Sequence, residues 1–164
     1  MKYNIERNYQ LFIEHLRSNH FPGGEAAGSV FDTKVFRGPK DVIEYAYNKV
    51  KYRYRGERMI FSVNCGRTIG LESLTSLDEI PAGTTIRKEI RGEKKGSKRS
   101  PGYTVWKAYG LKMRPTSKMV IILEPVPEKE NLHRFSSIYP GRYAPDFDDK
   151  EFWSGHAFIV EKKS

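Results

Sequence analysis

The sequence predicts an α+β fold in which N-terminal helices pack on a curved, mostly antiparallel β-sheet. The segments with helical periodicity come early in the chain, and about six segments with strand patterns follow them. No internal repeat is visible, and 164 residues are enough for a real hydrophobic core. We therefore predict a single domain over 1–164, with an N-terminal helix and loop over 1–28 and an α+β core over 29–164.

Two helices are expected in the first third of the chain. The first is amphipathic and about four turns long, because its apolar residues recur at helical spacing: Ile5, Tyr9, Phe12, Ile13 and Leu16. The run Pro22-Gly23-Gly24 ends this region, and a short strand is expected over 31–35. The second helix opens at Gly38-Pro39, because proline suits a first turn and Asp41 suits the positive end of the helix.

Strand patterns account for most of the remaining chain. Alternating or apolar runs predict strands over 51–55, 59–63, 84–91, 103–109, 118–124 and 157–160. The run 118–124 is nearly continuously apolar and is therefore expected to be central. The strands 84–91 and 103–109 are expected to form a long hairpin around a basic loop, and 76–80 to form one helical turn.

The formal charge of +9 indicates an anionic partner. Cations are densest in the predicted hairpin and its loop, and they alternate with aromatic rings over 51–55. We expect these side chains to contact the phosphates of a nucleic acid, although the same cations would also suit a solvated strand edge or loop. The candidates are Lys51, Arg53, Arg55, Arg87, Arg91, Lys94, Lys95, Lys98 and Arg99.

The single cysteine, Cys65, leaves no internal disulfide and fits a reducing compartment, so a cytoplasmic location is expected. The N-terminal residues lack the apolar run of a signal peptide, and no segment is apolar over a membrane-spanning length. We expect no membrane partner.

Known phosphate-loop, CxxC and HExxH motifs are missing from the sequence, and His15 and His20 are not expected to share a helical face as metal ligands. Neither a metal nor another cofactor is therefore expected, which leaves metal-free acid–base chemistry. Histidine titrates near neutral pH, arginine donates two parallel hydrogen bonds to phosphate, and hydroxyls donate single ones. The C-terminal region clusters such residues, which we take as catalytic candidates even though each histidine could also be structural: His133, Ser137, Tyr139, Arg142 and His156.

The run Phe135-Ser136-Ser137-Ile138-Tyr139-Pro140-Gly141-Arg142, with a histidine at the final strand, resembles the metal-independent RNase toxins related to barnase, colicin D and RelE. Many toxin domains of that group carry a Ser/Thr-x-x-Tyr-Pro segment. The resemblance implies a toxin-like endoribonuclease that acts on RNA (tRNA or mRNA) and has an antitoxin or immunity protein as partner. It places the family's arginine at Arg142, its histidine at His156 and its catalytic glutamate at Glu124.

Two other functions fit parts of the sequence. Phe36-Arg37-Gly38 before a helix resembles the arginine region of ADP-ribosyltransferases, and Glu128-Lys129-Glu130 has their ExE pattern. A non-catalytic nucleic-acid-binding or host-inhibitory protein of the phage type would need only the charge and the tyrosines.

Overall fold

The computed structural model describes residues 3–22, 28–91 and 103–161. Over these ranges the chain is a mixed α+β protein with three α-helices, one short 3-10 helix and strands that are mostly antiparallel. The helices are α1 (Gln10–His20), α2 (Pro39–Val50) and α3 (Lys150–Ser154), with the 3-10 helix at Leu77–Glu79. The strands are β1 (Asn4–Glu6), β2 (Val30–Phe31), β3 (Met59–Asn64), β4 (Gly70–Glu72), β5 (Leu74–Ser76), β6 (Thr85–Arg91), β7 (Tyr103–Tyr109), β8 (Arg114–Thr116), β9 (Lys118–Pro125), β10 (Leu132–Pro140) and β11 (His156–Val160).

The described strands form three sheets. Two have four strands, in the orders β1-β10-β9-β3 and β5-β11-β7-β6, and the third has the order β2-β4-β8. Two pairings are parallel, β1 with β10 and β11 with β7. Both bring together segments that are far apart in sequence.

The chain divides into two compact units. The first comprises Met1–Glu72 and Pro115–Arg142, and the second comprises Ser73–Arg114 and Tyr143–Ser164. The single domain over 1–164 stays a prediction.

The core of the first unit joins two helices to the strands β3, β9 and β10. α1 and α2 are amphipathic, and their buried stripes meet the alternate side chains of β9 in one hydrophobic cluster. Its central members are Phe12, Ile13 and Leu16 of α1, Val42, Ile43, Ala46 and Val50 of α2, and Met119, Ile121 and Leu123 of β9.

The second unit has its own cluster around Trp153 of α3. This ring is buried with Leu74 and Val105, and its Nε1 donates to the carbonyl oxygen of Asp146 at 3.0 Å. The hydrogen bond satisfies the one polar atom that burial of the indole would otherwise leave without a partner. Asp149 caps α3 by accepting from the amide of Phe152 at 3.0 Å.

Several expected elements are confirmed. α2 begins at Pro39, β3 and β9 fall on the predicted apolar runs, and the final strand is β11. β9 lies between β10 and β3, which is the interior position predicted for it. β6 and β7 form the expected hairpin, with pairing from Thr85↔Tyr109 to Arg91↔Tyr103.

The predicted start of the first helix is wrong. Ile5 lies in β1, which pairs in parallel with Leu132–Arg134 of β10, and α1 begins only at Gln10. A single apolar residue fits both periodicities, so a distant strand partner decides the outcome.

Two predicted strands are turns. After Phe31 the chain bends, because the amides of Val35 and Phe36 both donate to the carbonyl oxygen of Asp32 at 3.0 Å. The segment 51–55 continues from α2 as a turn, in which the amides of Arg53 and Tyr54 donate to the carbonyl oxygen of Val50 at 2.9 Å. Its cations therefore do not line one face of a strand.

Two leucines of α1 provide a test of the first core. Leu16 is 0% exposed, whereas Leu11 is 69% exposed. Leu16→Ala is expected to lower the free energy of unfolding by about 2–5 kcal/mol, because it leaves a cavity. Leu11→Ala should change it by less than about 0.5 kcal/mol. Urea denaturation measures both, and equal losses would contradict the packing of α1.

Candidate active site

Strand pairing places a set of polar side chains on one face of the β5-β11-β7-β6 sheet. Paired residues point to the same face, and side chains alternate along each strand. Arg87 pairs with Lys107, Lys107 pairs with Phe158, and Thr85 pairs with Tyr109. The face that carries His156, called the His156 face below, therefore also carries Thr85, Arg87, Glu89, Val105, Lys107, Tyr109 and Phe158.

His156 is held in one orientation by α3. Its ring stacks on Phe152, with centroids 3.8 Å apart and planes 6° apart, and its Nδ1 lies 2.8 Å from the carbonyl oxygen of Phe152. Because a carbonyl oxygen only accepts, Nδ1 carries a hydrogen. This contact fixes the neutral tautomer, with the hydrogen on Nδ1 and the lone pair on Nε2.

An ion pair lies on the same face. Lys107 Nζ is 2.7 Å from Glu89 Oε2, and the lysine side chain is only 18% exposed. The exposed Arg87 lies with its guanidinium 5.7 Å from the centre of the Tyr109 ring. The backbones at Glu89 and His156 are separated by β7, which is about 10 Å at the usual strand spacing. A carboxylate, two cations and an oriented imidazole thus share one face.

His133 has a different environment in the first unit. It is 7% exposed, and its Nδ1 lies 2.7 Å from the hydroxyl of Tyr54. The Tyr3 ring meets both rings edge-on at 5.2 Å. Burial raises the pKa of Tyr54 to about 12 and lowers the pKa of His133. The tyrosine therefore keeps its hydrogen, and the imidazole beside it stays neutral.

The other predicted catalytic residues also belong to the first unit. β10 shifts register between Phe135 and Ser137, which marks a bulge at Ser136. As a result the side chains of His133 and Phe135 leave the sheet on the core face, whereas those of Ser137 and Tyr139 leave it on the opposite face.

Arg142 follows Gly141, whose amide donates to the carbonyl oxygen of Lys118 at 2.8 Å. His156 belongs to the second unit, and His133 and Tyr139 are separated by about 20 Å along their strand. Within the first unit, the structure therefore does not gather His133 with Tyr139.

The rings of His15 and His20 are in edge-to-face contact, although the two residues are five positions apart. Their ring centroids are 5.7 Å apart, and the His20 ring stacks on Tyr139 at 5.8 Å. His20 Nδ1 donates to the carbonyl oxygen of Ser29 at 2.8 Å. Burial lowers the pKa of His20 to about 4 and also lowers the pKa of His15. Within the described ranges, no three His, Cys, Asp or Glu side chains are grouped as metal ligands.

The predicted nucleic-acid contacts fall in three places. Lys51, Arg53 and Arg55 follow α2 in the turn, where Lys51 Nζ donates to Asn48 Oδ1 at 3.0 Å and Arg53 lies over the Phe61 ring. Arg87 is on the His156 face, and the backbone of Arg91 pairs with Tyr103. Four of the predicted cations lie outside the described residues: Lys94, Lys95, Lys98 and Arg99.

Glu89, Lys107 and Tyr109 were not among the predicted site residues. The glutamate that was predicted, Glu124, belongs to the first unit, and its Oε2 lies 3.5 Å from Arg58 Nε. The available signal was the hairpin itself, because alternation in 84–91 puts Arg87 and Glu89 on one face. Which residues of the return strand share that face depends on register, which the sequence alone does not show.

In comparisons with known proteins, no family model, curated protein or solved structure matches the chain. None of the described helices is long and apolar enough to span a lipid bilayer.

The lowered pKa of His20 predicts that acid destabilises the protein. The folded state resists protonation of His20 until about pH 4, whereas the unfolded chain binds that proton near pH 6.5. Stability from this group is therefore present above pH 6.5 and is lost between about pH 6.5 and 4, by roughly 1.4 kcal/mol per unit of pKa difference.

His20→Asn keeps a side-chain donor for Ser29 and removes the titration, so its stability should fall less over this range. Urea unfolding at several pH values measures the difference, and NMR titration of the His20 ring gives its pKa directly. Identical pH dependence in the two proteins would contradict the assignment.

Proposed function

We propose that this protein is a metal-independent, toxin-like endoribonuclease whose reaction takes place on the His156 face. The observation that carries the proposal is the orientation of His156 by the Phe152 carbonyl, on the face that also holds the Glu89–Lys107 pair and Arg87. The net charge of +9 supports an RNA substrate.

The proposed reaction is a transesterification within RNA. Glu89 takes the proton from a ribose 2′-hydroxyl, and the 2′-oxygen attacks the adjacent phosphorus. Lys107 stabilises the charge that builds on the phosphoryl oxygens, and Arg87 binds a neighbouring phosphate of the strand. The bond from phosphorus to the 5′-oxygen breaks as protonated His156 gives its Nε2 proton to that oxygen. The products are a 2′,3′-cyclic phosphate and a free 5′-hydroxyl.

The remaining expectations belong to the same proposal. Its substrate is RNA (tRNA or mRNA), its partner is an antitoxin or immunity protein, and its location is the cytoplasm. The arrangement of N-terminal helices on a curved, mostly antiparallel sheet, which the order of the elements predicts, is also proposed. The proposed reaction assigns no step to four of the predicted catalytic residues, whose roles stay predictions: His133, Ser137, Tyr139 and Arg142.

His156→Ala tests the general acid. We expect RNA cleavage to fall by roughly 10²–10⁴-fold, the usual contribution of an acid–base group, while RNA binding changes little. The matched control is His15→Ala, which removes an exposed histidine of the first unit and should leave cleavage unchanged. Gel analysis of a labelled RNA in EDTA measures both rates, and the product ends identify the cyclic phosphate.

Four outcomes of that assay would count against the proposal. Full activity in His156→Ala would remove the general acid, and cleavage that stops in EDTA would require a metal. Intact RNA together with NAD-dependent labelling of a target would favour an ADP-ribosyltransferase. RNA binding without any reaction would favour the non-catalytic binding protein.

Glu89→Gln tests the general base independently. The amide keeps the shape of the side chain but accepts no proton, so we expect cleavage to fall by roughly 10²–10⁴-fold. Glu57→Gln removes an exposed carboxylate of the first unit and serves as the charge-matched control. Equal rates in the two variants would remove Glu89 from the mechanism.

A further inference from the structure

A cleft with both polar and apolar lining lies where β6 begins and β7 ends. It has a volume of about 380 Å³, within the roughly 300–1,000 Å³ typical of small-ligand sites. Its lining includes Gly83, Thr84, Thr85, Arg87, Tyr109 and Gly110.

Glycines shape both ends of this cleft. Gly83 has a φ of 88° and turns the chain into β6, and Gly110 has a φ of 85° directly after β7. These are conformations that residues with a side chain rarely adopt. Hydrogen bonds hold both turns in place. The Thr84 hydroxyl donates to the carbonyl oxygen of Pro81 at 2.7 Å, and the Gly110 amide donates to the carbonyl oxygen of Val160 at 2.9 Å. The cleft is therefore formed by constrained backbone.

The chemistry of the lining selects a flat ligand that carries negative charge. Tyr109 supplies an aromatic ring, Arg87 supplies the charge, and the threonines supply hydroxyl groups. None of the described residues that line the cleft is acidic. Nucleic-acid bases stack on aromatic rings, and arginine donates to phosphate.

The cleft is continuous with the proposed reaction site. Thr85 and Tyr109 pair with each other, and both lie on the His156 face next to the paired Arg87 and Lys107. Val105 is level with His156 across the pairing of β7 with β11. Tyr109 is four positions further along β7, so it lies about 13 Å from the level of His156. A bound strand would therefore place different nucleotides at the ring and at the reaction centre.

We propose that this cleft is a subsite for an unpaired base of the RNA, which stacks on Tyr109 while Arg87 binds the phosphate between that base and the bond that is cleaved. This inference rests on the proposed function and adds a substrate class to it. A base inside a duplex is already stacked on both faces, so the subsite selects single-stranded RNA.

The experiment measures binding without cleavage. The probe is a short fluorescent single-stranded RNA with 2′-O-methyl riboses, which cannot undergo the transesterification, and anisotropy gives its dissociation constant. Tyr109→Ala is expected to weaken binding roughly 5- to 100-fold, the range for loss of one stacked base. Tyr109→Phe keeps the ring and should bind within about twofold of the unmodified protein.

Arg87 and its neighbour Lys88 provide the matched charge control. Both are exposed and adjacent in β6, but Lys88 pairs with Trp106 and points to the opposite face. Arg87→Ala should weaken binding and flatten its salt dependence by about 0.7 in the logarithmic slope, the value for one phosphate contact on a single strand. Lys88→Ala should leave the slope unchanged.

Three results would overturn the subsite. These are equal affinities for Tyr109→Ala and Tyr109→Phe, equal effects of the two cation variants, and a duplex of the same sequence that binds as tightly as the single strand. Thermal unfolding of each variant shows that the sheet is retained. The two proposals fail separately. If the protein cleaves RNA and Tyr109→Ala binds the probe with normal affinity, only the subsite is rejected. Ring-dependent binding without cleavage of natural RNA rejects only the nuclease.

Discussion

Strand register is the constraint on which both the cores and the candidate active site depend. Side chains alternate between the two faces of a sheet, so a shift of one residue moves every side chain of a strand to the other face. In the first unit, the register of β9 with β3 and β10 directs Met119, Ile121 and Leu123 into the cluster with α1 and α2. In the second unit, register directs Glu89, Lys107 and His156 to one face.

The bulge in β10 shows how strongly one residue changes this pattern. Before it, His133 and Phe135 point toward the core, and beyond it Ile138 takes over that direction. Without the extra residue, simple alternation would have placed Ser137 and Tyr139 on the core face. With it, the apolar side chains of Phe135 and Ile138 face the core on the two sides of the bulge. Burial on the core side also explains the environment of His133. The hydrogen bond between His133 Nδ1 and the Tyr54 hydroxyl pairs two buried polar atoms without a buried charge.

The elements that were predicted from the sequence are those with long, regular patterns. α2 has a helical stripe and a proline start, while β3, β6, β7, β9 and β11 have apolar or alternating runs. The short strands β1, β4, β5 and β8 have three residues each, too few to show a period. β10 was not among the predicted strands, because its bulge breaks the alternation and its residues include histidine, arginine and serines.

The same limit applies to the candidate active site. His156 was predicted because a histidine beside a terminal strand is visible in one segment, whereas its proposed partners come from a hairpin about 50–70 positions earlier in the chain. Charge alone does not select a face of that hairpin, since Arg87 lies near Tyr109 on one face and Lys88 lies over Trp106 on the other. The difference between the two faces is that only one also carries Glu89 and the oriented imidazole of His156. In the proposed reaction the base and the acid act at opposite ends of an in-line displacement at phosphorus, so both must lie on the sheet face that binds the phosphate. The pairing of β11 with β7 brings His156 to the face that carries Glu89.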